Sequence, residues 1–412
     1  MNNMNKIQTL SSRSHNVIDV FRGLLNADFL RQLSIVNYQL SIVTILIISL
    51  MFSACKNGDW EFPDNENSKA YFAYQSPVRT ITLGTDKVYD NSLDNEWKCQ
   101  IMATVAGFYE IKKDIEITFK VDNSLCNDLE NVTAMPSNYY SLSDNSKMII
   151  QKGGKPIGGV VVQLTEAFFN DPLAISVNYV IPLVMTGVTN ADGILDGTPA
   201  EGVSNPNRLN PDDWKTLPKD YILYAIKYIN QWDATYLRRG TDNITENGVA
   251  KTEKRQGTYS PENDEVIGLN SISFTELEFP VNNHRLNNLN LNMTFKLNFG
   301  NDGKCTFANG AWKESQLVNE YEDADIRVFD IVVSGTGEYR IDGEKNSWGN
   351  KDRDALYLTY KAEYKVERME KGADEDTPPQ MVTYEIKYET TDVLVLRDRG
   401  VKAETFVPQL KP

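Results

Sequence analysis

Leu356-Tyr357-Leu358-Thr359-Tyr360-Lys361-Ala362-Glu363-Tyr364-Lys365-Val366 puts Leu, Leu, Tyr, Ala, Tyr and Val on one parity and Tyr, Thr, Lys, Glu and Lys on the other. Successive side chains of a β-strand point to opposite faces, so this stretch reads as a strand with one dry face and one wet face. The pattern recurs. Leu289, Leu291, Met293, Phe295, Leu297 and Phe299 alternate with Asn290, Asn292, Thr294, Lys296 and Asn298. Val382, Tyr384, Ile386 and Tyr388 alternate with Thr383, Glu385 and Lys387. Ile272, Phe274, Leu277 and Phe279 keep the pattern with one slip of phase, as at a β-bulge.

Segments 222–231, 249–257, 326–333 and 393–396 bring the series to about eight strands, and closure into a barrel removes the exposed edges such a series would leave. Ile222, Ile226 and Ile229 also fit a helical stripe, but the aromatic and β-branched content of Tyr221–Asn230 favours a strand. The expectation is an antiparallel barrel over residues 217–412, able to hold side chains or one small ligand.

Residues 69–202 read differently. Short apolar segments at 71–74, 78–83, 97–105, 115–121, 147–151, 159–164 and 177–187 are separated by turn signals, which suggests an immunoglobulin-like antiparallel β-sandwich of about seven strands. Single helical turns fit near 124–129 and 166–169. Pro, Asn, Asp and Gly crowd residues 192–213, and residues 203–216 form the expected linker. The fold class is therefore all-β.

The other decisive stretch is Leu50-Met51-Phe52-Ser53-Ala54-Cys55. It closes an uncharged apolar run from Ile42, too short for the ~20 residues of a bilayer span but suited to a signal peptide. Lys6, Arg13, Arg22 and Arg31 precede it, and small residues lead into the cysteine. Residues 1–54 are thus expected to be a lipoprotein signal peptide. Cys55 is expected to carry the lipid, and residues 55–68 to form a polar tether. Asp59 and Glu61 behind Cys55 favour display on the cell surface of an outer membrane over its periplasmic face.

Residues 1–54 hold four basic and two acidic residues, so the chain from Cys55 carries 38 Lys and Arg against 55 Asp and Glu, a formal net charge of −17. An acidic surface repels nucleic-acid phosphates, and no nucleic-acid partner is expected. Cys99, Cys126 and Cys305 are an odd number, without metal-type spacing. Cys99 reads as a small buried apolar residue, and a Cys99–Cys126 bridge is disfavoured. His284 is the one histidine after His15 and reads as an exposed loop residue. That excludes zinc sites built on several histidines.

No phosphate loop, nucleophile elbow or H-E-x-x-H is present. Asp192 and Asp196 lack the remaining EF-hand ligands and read as a solvated turn. No catalytic residue, metal ligand or cofactor is assigned. Aromatic side chains are the remaining resource, because a sugar's C–H face packs on a flat ring while neighbouring amides and carboxylates bond its hydroxyls. Trp232, Trp312 and Trp348 are the candidate ligand contacts, with packing at the barrel rim as the plainer role for each. Trp97 is expected in the core, and Trp214 to staple the linker. Arg238 and Arg239 either clamp a carboxylate or close the barrel end by bonding carbonyls, and closure is favoured.

Several segments together resemble the Bacteroidetes lipoproteins encoded with polysaccharide-utilisation systems. They are Asn178–Leu183 (NYVIPL), Asn207–Trp214 (NRLNPDDW), Lys227–Asn230 (KYIN), Tyr236–Gly240 (YLRRG) and Arg353–Leu358 (RDALYL). The resemblance covers nearly all of residues 70–412. It implies an N-terminal immunoglobulin-like domain of unknown function, also found ahead of some family-18 endo-β-N-acetylglucosaminidases, and a C-terminal calycin-like barrel. The D-x-x-D-x-D-x-E strand end of family-18 enzymes is missing, and the remainder is too short for a (β/α)8 barrel of about 250 residues.

The resemblance therefore implies a non-enzymatic, lipid-anchored accessory protein of a glycan capture system, with an oligosaccharide or polysaccharide as ligand. The alternative is a structural subunit docked on an outer-membrane transporter complex. A glycoside hydrolase or a lipocalin-like carrier ranks below both. The carrier would need a sizeable empty apolar cavity inside the barrel.

Overall fold

The computed structural model describes residues 67–258, 260–286, 289–291, 293–312, 326–370 and 378–412, with Leu289, Ala311 and Trp312 described by their backbone alone. The expected signal peptide and Cys55 lie outside the described residues.

The chain is all-β. The first module contains β1 (Lys69–Tyr71), β2 (Pro77–Thr82), β3 (Lys98–Ala106), β4 (Ile115–Val121), β5 (Lys147–Ile150), β6 (Ile157–Leu164), β7 (Tyr179–Thr189) and β8 (Tyr221–Ile229). Short helical turns at Asn123–Cys126 and Glu166–Phe169 fall where the sequence suggests them. The strands run in the order β1–β3–β6–β5–β4–β7–β8–β2. The link between β5 and β6 is a single pair, Ile149 with Gly159. The strands on either side of it share one core: Ile101, Val160 and Val162 meet Ile117, Ile181 and Ile226.

β8 corrects the sequence reading. It belongs to this module, not to the barrel, pairing antiparallel with β7 and parallel with β2. It is buried on both faces. Ile222, Tyr224, Ile226 and Tyr228 enter the main core, while Tyr221, Leu223 and Ala225 meet Cys126, Leu129 and Val132 in a second cluster. A strand dry on both faces loses the period-two signal, so its place in the chain is not legible from pattern alone.

The second module is a closed antiparallel ring. Its strands are β9 (Ala234–Glu246), β10 (Val249–Arg255), β11 (Glu265–Ser271), β12 (Glu276–Val281), β13 (Met293–Phe299), β14 (Lys304–Trp312), β15 (Ile326–Glu344), β16 (Arg353–Glu370) and β17 (Gln380–Asp398). β10 pairs only with the far half of β9. The other eight close the ring, because β17 pairs back onto β9 from Thr235↔Asp398 to Glu246↔Ile386. The expected number of barrel strands is met with a different membership. β9, β11 and β14 were not anticipated, and the two segments at 382–388 and 393–396 are one strand.

The inward face explains why β9 is hard to read. Ala234, Tyr236 and Ile244 point inward as apolar residues should, but so do Arg238 and Asp242. Arg238 is fully buried, with Nε 3.0 Å and Nη2 2.6 Å from Oδ2 of Asp392 on β17. Its Nη2 also donates to Asn283 Oδ1 at 3.0 Å. Arg255 binds Asp242 at 2.6 Å and also pairs with Asp392. Thr390 donates to Asp242 at 2.7 Å. Gly240 gives Asp392 its room: a Cβ there would stand 2.1 Å from the Asp392 carboxylate. Arg238 and Arg239 therefore do not close the barrel end through carbonyls, as the sequence reading favoured. Arg238 is an interior ion-pair partner, and Arg239 pairs with Glu344.

The modules are joined at several points. Phe274, in the turn after β11, lies against Phe169 (5.7 Å), Trp97 and Tyr228 (6.4 Å each) of the first module. Trp97 is thus half-buried at the seam as well as packed on the first core. The side-chain amide of Asn230 donates to the carbonyls of Ser273 and Glu276 at 2.9 and 3.0 Å. Past Asp398 the chain leaves the barrel altogether and returns to the first module. Arg399 donates to the carbonyls of Leu83, Asn230 and Gln231, and β18 (Glu404–Thr405) pairs antiparallel with β2. Assigning the whole of 217–412 to the barrel is corrected at both ends.

Removing one partner of a buried ion pair strands the other charge, at a cost of about 3–5 kcal/mol, whereas replacing both by apolar residues is often close to neutral. Arg238→Met alone leaves Asp392 and Asp242 to share Arg255, one buried negative charge in excess, and should therefore lower the free energy of urea unfolding by about 3 kcal/mol. Adding Asp392→Leu to it should recover a large part of that loss. Equal or greater loss in the double variant would show that the pair is not the unit that matters.

Candidate functional site

The three tryptophans assigned as ligand contacts do not share a surface. Trp232 is 4% exposed and stacked on Phe299 (4.0 Å, 14°), so its role is packing, which corrects its assignment. Trp312 ends β14, and its side chain lies outside the described residues. Trp348 is half-buried on the outside of the barrel. Its indole N–H donates to the Leu396 carbonyl at 3.0 Å, and the Arg353 guanidinium lies 3.5 Å over its ring. Trp214 does staple its loop, donating to the Asn207 carbonyl at 2.7 Å. Asp192, half of the rejected calcium pair, accepts from the Ser68 amide and hydroxyl at 2.7 and 2.6 Å.

His284 is not an exposed loop residue. It is fully buried in the barrel, stacked on Tyr388 at 3.7 Å, with Nδ1 3.2 Å from the Tyr364 hydroxyl. The expectation failed because the flanking Asn282, Asn283 and Arg285 look like a solvated loop; nothing in the sequence shows that the tip folds inward. Its Nε2 has no partner among the described residues. Around it, Phe279, Phe295, Phe307 and Tyr360 form edge-to-face and stacked contacts at 4.6–6.5 Å. The described interior positions are filled with side chains, as suits eight strands. That arrangement does not favour the lipocalin-like reading.

The three cysteines past Cys55 are buried and free. Burial pushes the Cys99 and Cys305 thiols up to about 12 and Cys126 to about 11, which makes all three inert at neutral pH.

The concave feature best placed for a ligand is a cleft of about 350 Å³ between the modules. One wall is the turn after β2. Asp86 Oδ1 accepts the amide N–H groups of Val88 (2.7 Å) and Tyr89 (3.0 Å), an Asx turn that fixes the local backbone. Asn91 ties that turn back, donating to the carbonyls of Thr82 and Gly84 at 2.8 and 2.6 Å. Gly84 (φ +84°) passes so near the barrel entry that a Cβ would stand 2.5 Å from Gln231 Cβ. The turn holds Val88 and Tyr89 in solvent, 75% and 69% exposed.

The opposite wall is barrel: Arg353 and Asp354 at the start of β16, Leu396 to Asp398 at the end of β17, and then Arg399 to Lys402. Lys87 crosses between the walls, 2.7 Å from Asp354 Oδ1 and also paired with Asp342. Asp354 further accepts from the Tyr339 hydroxyl (3.0 Å) and the Asp342 amide (2.9 Å). Burial alone would raise its carboxyl, but the Asp342 amide, Lys87 and Tyr339 outweigh that and hold it below the usual carboxylate range. A second cavity of about 250 Å³ shares Arg399, Gly400 and Val401 with the first, so the returning segment runs between the two.

Tyr89 and Lys87 were not singled out from sequence. The signal was present in Asp86-Lys87-Val88-Tyr89-Asp90-Asn91, an apolar pair inside a turn-forming run, but it does not distinguish a strand end from an exposed tip.

Residues 231–400 match the model for DUF5627, a domain of unknown function, and residues 64–192 match a model described as an N-terminal domain. A crystal structure of a Bacteroides ovatus protein of unknown function is 37% identical, aligned over 83% of this chain and 99% of its own, with a TM-score of 0.69. A multidomain Bacteroides ovatus protein including DUF1735 is 13% identical, over 82% of this chain and all of its own, at a TM-score of 0.32. An auxiliary nutrient binding protein from Bacteroides thetaiotaomicron is 12% identical, over 77% and 90%, at 0.30. At those scores neither of the last two bears on fold or function here. No curated protein matches the chain.

Burial holds the His284 pKa well below its ordinary 6.5; Asp242 opposes the shift, and Arg238 and Arg255 add to it. The unfolded chain then binds a proton below about pH 6.5 that the folded chain refuses, so this contribution to stability is complete above that pH and is lost as pH falls. With one histidine past His15, urea stability should drop by up to about 1.4 kcal/mol per pH unit between pH 6.5 and 5. His284→Phe should lack that slope. An unchanged slope in the variant would assign it to other groups.

Proposed function

This chain belongs to the family of the Bacteroides ovatus protein of unknown function, and on that premise we propose that it is a lipid-anchored, non-catalytic accessory protein of a glycan capture and uptake system. Its interdomain cleft is the carbohydrate-binding surface. One observation carries the reading: an exposed tyrosine is held on a hydrogen-bonded turn over a cleft within the size range of small-ligand sites. A tyrosine has two side-chain torsions, so a ring carried on a hydrogen-bonded turn gives a sugar a face to pack on at a small entropy cost. A binding role is favoured over hydrolysis because two of the three cleft carboxylates are already engaged. Asp86 holds amides, and Asp354 holds Lys87 and Tyr339.

The lipid on Cys55 places the protein on the outer membrane, facing outward, where a cleft of this kind meets glycans before they reach a transporter complex. More than one acyl chain is needed for stable anchoring, at ~0.8 kcal/mol per buried methylene. The full-length chain in detergent should be retained by some members of a broad glycan array. Tyr89→Ala should weaken that retention about tenfold, the equivalent of ~1.4 kcal/mol. Thermal stability should be unchanged, because the ring is exposed. If no glycan is retained, the binding reading is lost. Mass spectrometry of the membrane fraction should find Cys55 as the acylated first residue; a mature chain beginning elsewhere would remove the anchor.

A further inference from the structure

The cleft carries the opposite charge to the rest of the chain. The formal net charge is −15 overall, yet five basic residues line the cleft against three acidic ones. What matters is which of these charges are already taken. Lys87 is taken by Asp354 and Asp342. Arg399 gives its Nη groups to three backbone carbonyls, which neutralise nothing. Arg353 donates Nε to the Trp348 carbonyl at 3.3 Å and rests on the indole, and among the described residues no carboxylate pairs with it. Lys402 is exposed on the returning segment and likewise has no described carboxylate partner. Among the described residues Arg397 pairs with Asp398 alone, at 3.8 Å with both side chains about half exposed. Even with Asp342 added to the acidic side, the cleft stays cationic.

From this we infer that the cleft takes a saccharide bearing carboxylate or sulfate groups. The inference rests on the reading of the cleft as the glycan site and names the class of glycan. A guanidinium is a planar fork that matches a carboxylate or sulfate edge with two parallel hydrogen bonds. Arg353 is pre-set for this, because the indole beneath it fixes the plane of the fork. A neutral sugar would use none of this charge. The acidic remainder of the surface is a weak objection. At physiological salt, charges beyond about 8 Å are largely screened, so the groups lining the cleft set the local field.

The test uses full-length protein in detergent and matched pairs of probes: oligogalacturonates against their methyl esters, and dextran sulfate oligosaccharides against unsulfated dextran oligosaccharides. The expected result is retention of at least one charged member tenfold or more above its neutral partner, weakening as NaCl is raised. Whichever pair responds identifies the charged group as carboxylate or sulfate. Arg353→Gln and Lys402→Glu should each cut that retention about tenfold. Lys402 is exposed, so its variant keeps the fold even if the Arg353 variant does not. Equal retention within both pairs, or a preference for the neutral members, overturns the inference and leaves the glycan reading standing. Charged binding that neither variant reduces also overturns it, by placing the site elsewhere. No retention of any probe in a broad neutral and acidic array overturns both.

Discussion

The seam between β9 and β17 is the constraint on which the rest of the structure depends. It turns a meander with two edges into a ring with none, and it does so through charged residues. In the register, Arg238 faces Leu394, Gly240 faces Asp392 and Asp242 faces Thr390. Arg238 can reach Asp392 only because the intervening inward position is glycine. A slip of one residue would turn Asp392 to the outer face and leave the guanidinium inside without it, and a slip of two would move Asp392 from opposite Gly240, the position without a Cβ. Buried ions contribute little net stability, because desolvation offsets their attraction. What they add here is discrimination, since alternative registers strand a charge.

The same closure builds the joint with the first module. The hairpin of β16 and β17 sets the start of one beside the end of the other, where Ala355 pairs with Val395, and the ring closure brings that end of β17 to the start of β9, next to the first module. Asp354 and Arg399 therefore project from adjacent places at one end of the barrel. Lys87 crosses to the first and the carbonyls of Leu83, Asn230 and Gln231 receive the second. The chain then spends its last residues on the module it left long before: Phe406 donates to the Ser76 carbonyl, and Lys411 to that of Asp128. Such a joint, crossed by charged hydrogen bonds, a covalent linker and a returning strand, is held at more points than a flexible linker allows. The cleft between the modules is bounded by these contacts.

How much of this was legible depended on whether local pattern and environment agreed. β13, β16 and the two halves of β17 were readable because each has one wet face, and alternation survives. β8 was recognisable as a strand but not as a member of the first module, because both its faces are dry. β9 was missed because Arg238, Gly240 and Asp242 occupy inward positions that an alternation test expects to be apolar. Trp232 and His284 were misjudged for a shared reason: a polar neighbourhood in sequence does not say that the side chain points outward. Asn230, Asp233, Asn283 and Arg285 surround these residues in the chain, while Phe299 and Tyr388 surround them in space. The cleft was out of reach of sequence reasoning altogether. Its walls come from residues 85–89, 353–354 and 396–402, which are far apart in sequence and meet through the β16–β17 hairpin, the closure of β17 onto β9 and the contacts between the modules.

Interior and surface divide the aromatic residues between two tasks. An eight-stranded ring has room for side chains or for one small ligand, seldom for both. In this chain Phe279, Phe295, Phe307, Tyr360, Tyr364, Tyr388 and His284 take that room and stack on one another. With its interior taken by these side chains, the ring presents polar groups at its ends. At one end it holds Asp354, and Lys87 binds it; Lys87 belongs to the same turn as Tyr89. The filled interior thus backs the wall against which the neighbouring module presents the turn that carries Tyr89.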